Sequence, residues 1–593
     1  MILSIVLLYI AALALNWNRL HYGVEISDEA YYVADAYNIA SGATPYSIAL
    51  TVSSGGVMLY SPLVKLYTNI SGGTEGIYLY MRQAFFIYKI LVSGVLILLF
   101  KRSLPFILAM MLPLPYLALS IYSIDNFSYN SLSLSFLLIC CVLIYSALQE
   151  NEKLDKLLSF NGGVFMALTM LVHPMQSFIA VYVVILLFIV EYRGYRTFHR
   201  SGLFVAGGLS TAAVVTGYLA MVSGGIRPII NGILIILYAP ARQFKKVGWA
   251  YNYGSLKGSL VLFRNFVIPG IVVLSGLFIL SFLVRKKYRA DFRTICVFAL
   301  LLTQLYHIGI SIYRYSDYSY LPLDISVCQA YVLLLLLLSA GWKAYGKLVL
   351  LVFTPFLAFY FLYIPFNYSG LSGRGYVLFP SVILSLILLY YALMDIPLPP
   401  PLAVRKSVIS NICILFLTAT FSVAYITGYY GYVYRDAPVS SLTYKMEKGV
   451  FRGLYTIEER GKSLIYLEDE IQKVTNENDR VMFRDQAPQA YLMTKAKPCA
   501  PSTWDSLQYS YYYNNLIEEG YDARDITLLL EYFKAAGKEP TKIIYILNKE
   551  RLDYISLWDD DYPFTKYVKQ NYQQIYTNDA DQFAIIAFER IPS

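Results

Sequence analysis

The chain has 593 residues, a formal net charge of +9, 57% hydrophobic residues and only 15% charged ones. Soluble domains carry roughly 25% charged residues, and the apolar excess falls in stretches of about 17–25 residues, the length that crosses a bilayer. This excludes an ordinary soluble globule. It also removes the case for a nucleic-acid binder, because many of the basic residues sit in short loops between apolar stretches, as the positive-inside rule requires.

In chain order, about thirteen spans are predicted, at roughly 1–17, 83–100, 104–122, 129–148, 160–173, 177–191, 202–222, 260–284, 294–313, 321–340, 348–365, 376–394 and 408–428. Residues 1–17 contain an Ala12-Leu13-Ala14 triplet, but no basic residue precedes the apolar run, so they are taken as the first span. With the N-terminus cytoplasmic, every inside loop holds at least two basic residues: Lys101 and Arg102, Lys153 and Lys156, Arg193, Arg196 and Arg200, the Arg285–Arg293 group, Lys343 and Lys347, and Arg405 and Lys406. The loop 223–259, with Arg227, Arg242, Lys245, Lys246 and Lys257, departs from the pattern. The six cysteines show no metal-ligand spacing, and only Cys499 lies in the polar C-terminal part, so no disulfide framework is expected.

An odd number of spans places residues 429–593 outside the cytoplasm. That part reads as an α/β domain: "RVMFRD", "TKIIYIL" and "FAIIAF" are strand-like, and "DITLLLEYFKAAG" is helix-like, with Gly537 as its C-cap. The division expected is therefore a membrane part, 1–428, with a long first outside loop at 24–80, followed by the domain 429–593. Within the first loop, "SDEAYYVADAYNIASGATPY" predicts an amphipathic helix lying in the interface plane, with Val33, Ala36, Tyr37 and Ala40 on one face and Asp28, Tyr32 and Asp35 near another.

Two readings of the adjacent acids Asp28 and Glu29 stand side by side. Acids in a helix's first turn compensate its dipole, a gain of roughly 0.3–1 kcal/mol. A carboxylate at a water–membrane boundary also suits a general base or a metal ligand. Other ionisable residues sit near outside ends of spans. Lys65, Arg314 and Arg374 are placed to hold a lipid phosphate, and His173 falls where the fifth span meets the outside; for each, the plain alternative is a snorkelling, solvated or hydrogen-bonded structural side chain.

The order of these features resembles the GT-C superfamily of membrane glycosyltransferases, which includes the protein O-mannosyltransferases and the enzymes that add aminoarabinose to lipid A. The resemblance lies in "SDEAYYVADAYNIASGATPY" after span one, in "YLYMRQAFFIYKILVSGVLILLFKR" as the second span, and in the sequence of spans followed by an outside domain. It implies a helical polytopic enzyme of the cell membrane that moves a sugar from a polyprenyl-phosphate-linked donor to an extracytoplasmic glycan, lipid or protein. It implies Asp28 as the first-loop catalytic acid, with Glu29 beside it, and Asp125, in "YSIDNFSYN", at the next outside loop. The second loop carries one carboxylate where metal-dependent members have two, and no WWDYG-like signature occurs, so a divalent metal ion held by Asp28 and Asp125 is left open. A surface-polysaccharide ligase or polymerase shares this chemistry. A transporter is the rival from another class, though no repeated halves are seen.

The orientation is testable. A reporter that works only in the cytoplasm, fused after Ser593, is expected to be silent; an active fusion overturns the topology.

Overall fold

The computed structural model describes residues 1–46, 54–121, 125–149, 152–194, 199–233, 348, 351, 379–395, 405–433, 435–484, 487–500, 502–503, 533, 539–548, 563–579 and 583–592. Nine of the thirteen expected spans fall on described helices. The spans expected at 260–284, 294–313 and 321–340, and all of 348–365 except Leu348 and Leu351, lie outside the described residues.

Among the described residues, six helices are long and apolar enough to cross a membrane. They are α1 (Ile2–Arg19), α4 (Ile77–Ser103), α7 (Tyr129–Gln149), α8 (Glu152–Val172), α10 (His199–Val222) and α12 (Lys406–Gly431). Two shorter apolar helices, α9 (Ser177–Gly194) and α11 (Phe379–Asp395), pack among them. The chain is therefore a mostly helical, polytopic membrane protein.

One expected span differs. Residues 104–122 form two short helices, α5 (Phe106–Met111) and α6 (Leu114–Ala118), instead of one long one. Pro105, Pro113 and Pro115 explain the break, since proline removes a backbone donor and clashes with the preceding turn.

Helix α7 is apolar all round, and nearly all of it is buried. Such a helix belongs at the centre of a bundle, and α4, α8 and α11 pack around it. Helices α8 and α10 approach closely through glycines. A side chain at Gly163 would collide with the Phe204 carbonyl, and one at Gly207 would collide with the Phe160 carbonyl. Small residues let backbones meet where lipid supplies no hydrophobic force between helices.

The first loop holds α2 (Asp28–Ala40) and α3 (Ser54–Ser71). Helix α2 does not lie on an interface with one face exposed. Val33 and Ala36 are buried, but so are Tyr32, Asp35 and Asn38 on other faces, because α3 packs on one side and the 488–503 segment on another. The Thr503 hydroxyl donates to Asp35 Oδ1 at 2.6 Å.

The C-terminal part carries an antiparallel pair, β1 (Tyr444–Lys445) and β2 (Tyr455–Thr456), and a five-stranded mixed sheet. Its strands are β3 (Arg480–Arg484), β4 (Lys497–Pro498), β5 (Lys542–Asn548), β6 (Tyr572–Asp579) and β7 (Phe583–Arg590), in the order β4-β3-β5-β7-β6. Strand β3 runs parallel to β4 and β5; β7 runs antiparallel to β5 and β6. The strand-like stretches of the sequence are β3, β5 and β7. The helix-like stretch 525–537 lies, apart from Phe533, outside the described residues. The amphipathic helix α13 (Glu458–Val474) buries Leu464, Leu467, Ile471 and Val474. These residues share one continuous apolar cluster with Val24, Tyr32 and Val33 of the first loop, Tyr60 of α3, and Met81 and Phe85 of α4. The sheet domain and the first loop thus fold as one body.

The glycine crossing gives a stability test. Gly163→Leu is expected to destabilise the folded protein by about 1–3 kcal/mol or more through forced separation of α8 and α10. Gly217→Leu, at a position open on all sides, should change little. Thermal unfolding in nanodiscs distinguishes them, and equal melting temperatures would discount the close crossing.

Candidate functional site

The first loop is held by a buried arginine. Arg82 lies in the second turn of α4, 4% exposed, and Glu29 in the first turn of α2 is fully buried. Arg82 Nε donates to Glu29 Oε1 at 2.7 Å and Nη2 to Oε2 at 2.6 Å, the two-pronged geometry that suits a guanidinium to a carboxylate. Its remaining donors go to the carbonyls of Leu20 at 2.8 Å, Tyr22 at 3.2 Å and Gly23 at 2.9 Å. An arginine has five N–H donors, and here all are engaged. Asn126 Nδ2 adds a hydrogen bond to Glu29 Oε1 at 2.8 Å. About two turns further along the same face of α4, Lys89 donates to Asp125 Oδ1 and to the Leu119 carbonyl, both at 3.0 Å.

Further bonds fix segment 20–27 from the C-terminal side. Arg19 Nε donates to the Tyr429 carbonyl at 2.7 Å, and Nη1 to the Tyr22 carbonyl at 2.6 Å. The backbone N–H of Gly23 donates to Tyr455 O at 2.7 Å. Gly23 has φ +93°, and the side chain of Val433 fills the space where a Cβ would project, so only glycine fits. Asp436 accepts from the Val24 N–H at 2.7 Å and pairs with Arg460 at 3.1 Å. Burial raises the Asp436 carboxyl above its ordinary range, with Arg460 acting against that rise.

On this frame sits the N-terminus of α2. Buried Glu25 accepts from the backbone N–H of Ser27 at 2.9 Å and of Glu29 at 2.6 Å, and from the Ser27 hydroxyl. It thereby takes up otherwise unsatisfied donors of the helix end. Burial first, and the charge of Asp28 second, push its carboxyl up to about 8, while the Ser27 and Glu29 hydrogen bonds and Arg435 act in the opposite direction. Arg435 Nη1 donates to the Ser27 hydroxyl. Arg435 is exposed and has φ +56°, a conformation uncommon for a residue other than glycine. Asp28 is half-buried. One turn along α2 is the buried Tyr32, whose hydroxyl is raised mainly by burial, then by Tyr129 and Asp28. Tyr32 meets Tyr129 edge-on at 5.6 Å, and Tyr129 meets His173 edge-on at 5.2 Å.

Of the residues expected from sequence, Asp28 and His173 therefore lie at the two ends of one aromatic chain. Glu29 and Asp125 are buried in ion pairs with Arg82 and Lys89, where they hold structure. Lys65 is exposed on α3, one residue past buried Val64. Arg314 and Arg374 lie outside the described residues. A metal ion held by Asp28 and Asp125 does not suit this arrangement, since Lys89 already neutralises Asp125. Among the described residues no group of three or more His, Cys, Asp and Glu side chains is placed to hold one.

Glu25, Arg435 and Asp436 were not picked out from the sequence. Glu25 and Arg435 are single charges in polar connecting segments and carry no spacing signal. Arg82 and Lys89 did carry one: two cations seven residues apart share a face of an otherwise apolar helix, and charges within a span are costly unless paired.

The fold and site define a polytopic membrane protein with an acidic helix end clamped where several spans meet its sheet domain. No family model matches the chain, and no curated protein matches it. Among solved structures, it is similar to the archaeal oligosaccharyltransferase AglB from Archaeoglobus fulgidus, determined in complex with an inhibitory peptide and a dolichol-phosphate. The identity is 12% and the TM-score 0.42, over 98% of this chain and 74% of that one. A likeness at that level says nothing of the reaction.

The clamp predicts an order of damage. Removing one partner of a buried ion pair costs roughly 3–5 kcal/mol. Arg82→Met should cost more than Glu29→Gln, because it also strands three backbone carbonyls. Lys65→Ala should stay within about 0.5 kcal/mol of the parent. Unfolding of the purified variants measures all three, and an unaffected Arg82→Met would remove the clamp from the account.

Proposed function

We propose that the chain is a membrane glycosyltransferase, acting on the extracytoplasmic side of the cell membrane on a polyprenyl-phosphate-linked sugar. The observation that supports this reading best is Asp28, a half-buried carboxylate on a rigidly held helix end, with the Arg435 guanidinium bonded to the adjacent Ser27. A base and a cation at the mouth of a bundle are the two groups that transfer from a lipid phosphate needs. The sequence resemblance to GT-C enzymes in the same stretch supports the same reading.

In the proposed reaction the acceptor hydroxyl attacks the anomeric carbon while Asp28 takes its proton. The bond from that carbon to the phosphate oxygen breaks, and its electron pair goes to the polyprenyl phosphate. A single displacement inverts the anomeric centre. The leaving phosphate gains charge as the bond breaks, so a nearby cation acts more strongly in the transition state than in the ground state. Arg435 takes that role, with Arg374, Arg314 and Lys65 as further candidates. Glu29 positions Asp28 through Arg82 and does not touch the reacting atoms. His173 orients Tyr129 and Tyr32 behind Asp28. The acceptor is a glycan, lipid or protein.

Asp28→Asn keeps the shape and removes the base; it should lower turnover by about 10²–10⁴-fold with donor binding retained. Arg435→Ala and Arg374→Ala should each lower turnover roughly 10–100-fold, the equivalent of a lost charge-assisted contact. Arg242→Ala serves as the control. The assay is sugar release from a polyprenyl-phosphate-linked donor by purified variants in nanodiscs. Near-normal turnover in Asp28→Asn would favour the helix-end reading of the acidic pair.

A further inference from the structure

A second site lies beside the clamped segment. Between the ends of α1 and α12 and the turns of the C-terminal part is an open cavity of about 520 Å³, lined by Asn18, Tyr22, Tyr430, Ser440, Thr443 and Tyr455 among others. Two properties set it apart. No charged side chain is among the described residues that line it. Its wall is aromatic: the Tyr22 and Tyr455 rings are stacked at 5.2 Å and 22°, so each has one ring face against the other and one turned away. The two rings are brought together by their main chains: the Tyr22 and Tyr455 backbones are bridged to one another, and Tyr455 N–H donates to His21 O at 2.7 Å. The third ring is tethered by its hydroxyl, which Tyr430 donates to Leu15 O at 2.7 Å.

Around these rings stand an amide and two hydroxyls, from Asn18, Ser440 and Thr443, all exposed. Such groups both donate and accept hydrogen bonds. Rigid aromatic faces with a neutral, two-way polar rim match a ligand that has flat apolar C–H faces and many hydroxyls. They do not match a phosphate or a carboxylate, which would call for a cation, nor an acyl chain, which would waste the rim. The site sits where α1 leaves the apolar zone, next to Trp17, which is 44% exposed, at the level where tryptophan and tyrosine mark a membrane surface.

We propose that this cavity binds a neutral glycan, stacked on Tyr22 and Tyr455 and held by Asn18, Ser440 and Thr443. The glycan is either free in solution or the headgroup of a glycolipid in the same membrane leaflet. The site is distinct from Asp28, and its occupancy can be read without any turnover.

The test uses the full-length protein in phosphatidylcholine nanodiscs. One arm applies an array of free neutral oligosaccharides built from glucose, mannose, galactose or N-acetylglucosamine. The other incorporates neutral diglycosyl-diacylglycerols in the bilayer and follows their retention by native mass spectrometry. Saturable binding is expected in at least one arm, and which arm responds identifies the source. An acidic oligogalacturonate should not compete. Tyr455→Ala should weaken binding at least tenfold. Ser440→Trp, a substitution at an exposed position that fills the cavity without removing any packed group, should do the same should Tyr455→Ala fail to fold. Lys445→Ala, outside the cavity, should bind as the parent does. Absence of saturable binding in both arms overturns the proposal, as does binding that Ser440→Trp leaves intact.

Discussion

The structure depends on one buried pairing. Arg82 reaches from the start of a membrane helix into the loop that follows α1, and Glu29 meets it from the start of α2. Two charges out of water are costly, and such a pair holds only if every remaining donor is also satisfied. Three backbone carbonyls and Asn126 supply that satisfaction. The result is a hydrogen-bonded joint between three chain segments, and Asp28 lies next to it in sequence.

A second line of charge runs parallel to the first. Lys89 draws Asp125 and the Leu119 carbonyl against α4, and Asn126, the next residue, reaches Glu29. Leu119 follows the last turn of α6, where helix carbonyls have no partner within the helix, and its carbonyl is taken up by Lys89.

The C-terminal part is more than an appendage. Its apolar residues merge with those of α2, α3 and α4, and Asp436, Arg435 and Tyr455 all act on segment 20–28. A first loop of this length could not bury both faces of α2 alone. With α3 on one side and the 488–503 segment on another, both faces find cover, and Asp35 finds Thr503. The same docking shapes two different surfaces, a charged helix end and a neutral, tyrosine-walled cavity.

The sequence by itself determined the membrane character, the ends of most described spans within a few residues, the helix at Asp28 and three strands of the sheet. These follow from local rules: length of apolar runs, helical periodicity, strand-like runs of apolar and β-branched residues. It offered two adjacent carboxylates, Asp28 and Glu29, at the start of that helix. What it could not separate was Asp28 from Glu29, two carboxylates of equal chemistry one residue apart. They point about 100° apart on a helix, so one is fully buried and the other half-buried, and which does which depends on where Arg82 lies. Arg435, Asp436 and the Tyr22–Tyr455 stack were likewise beyond reach, because each has a partner hundreds of residues away in the chain. Distance in sequence carries no signal of contact; only the tertiary fold brings residue 27 to residue 435 and gives each its surroundings.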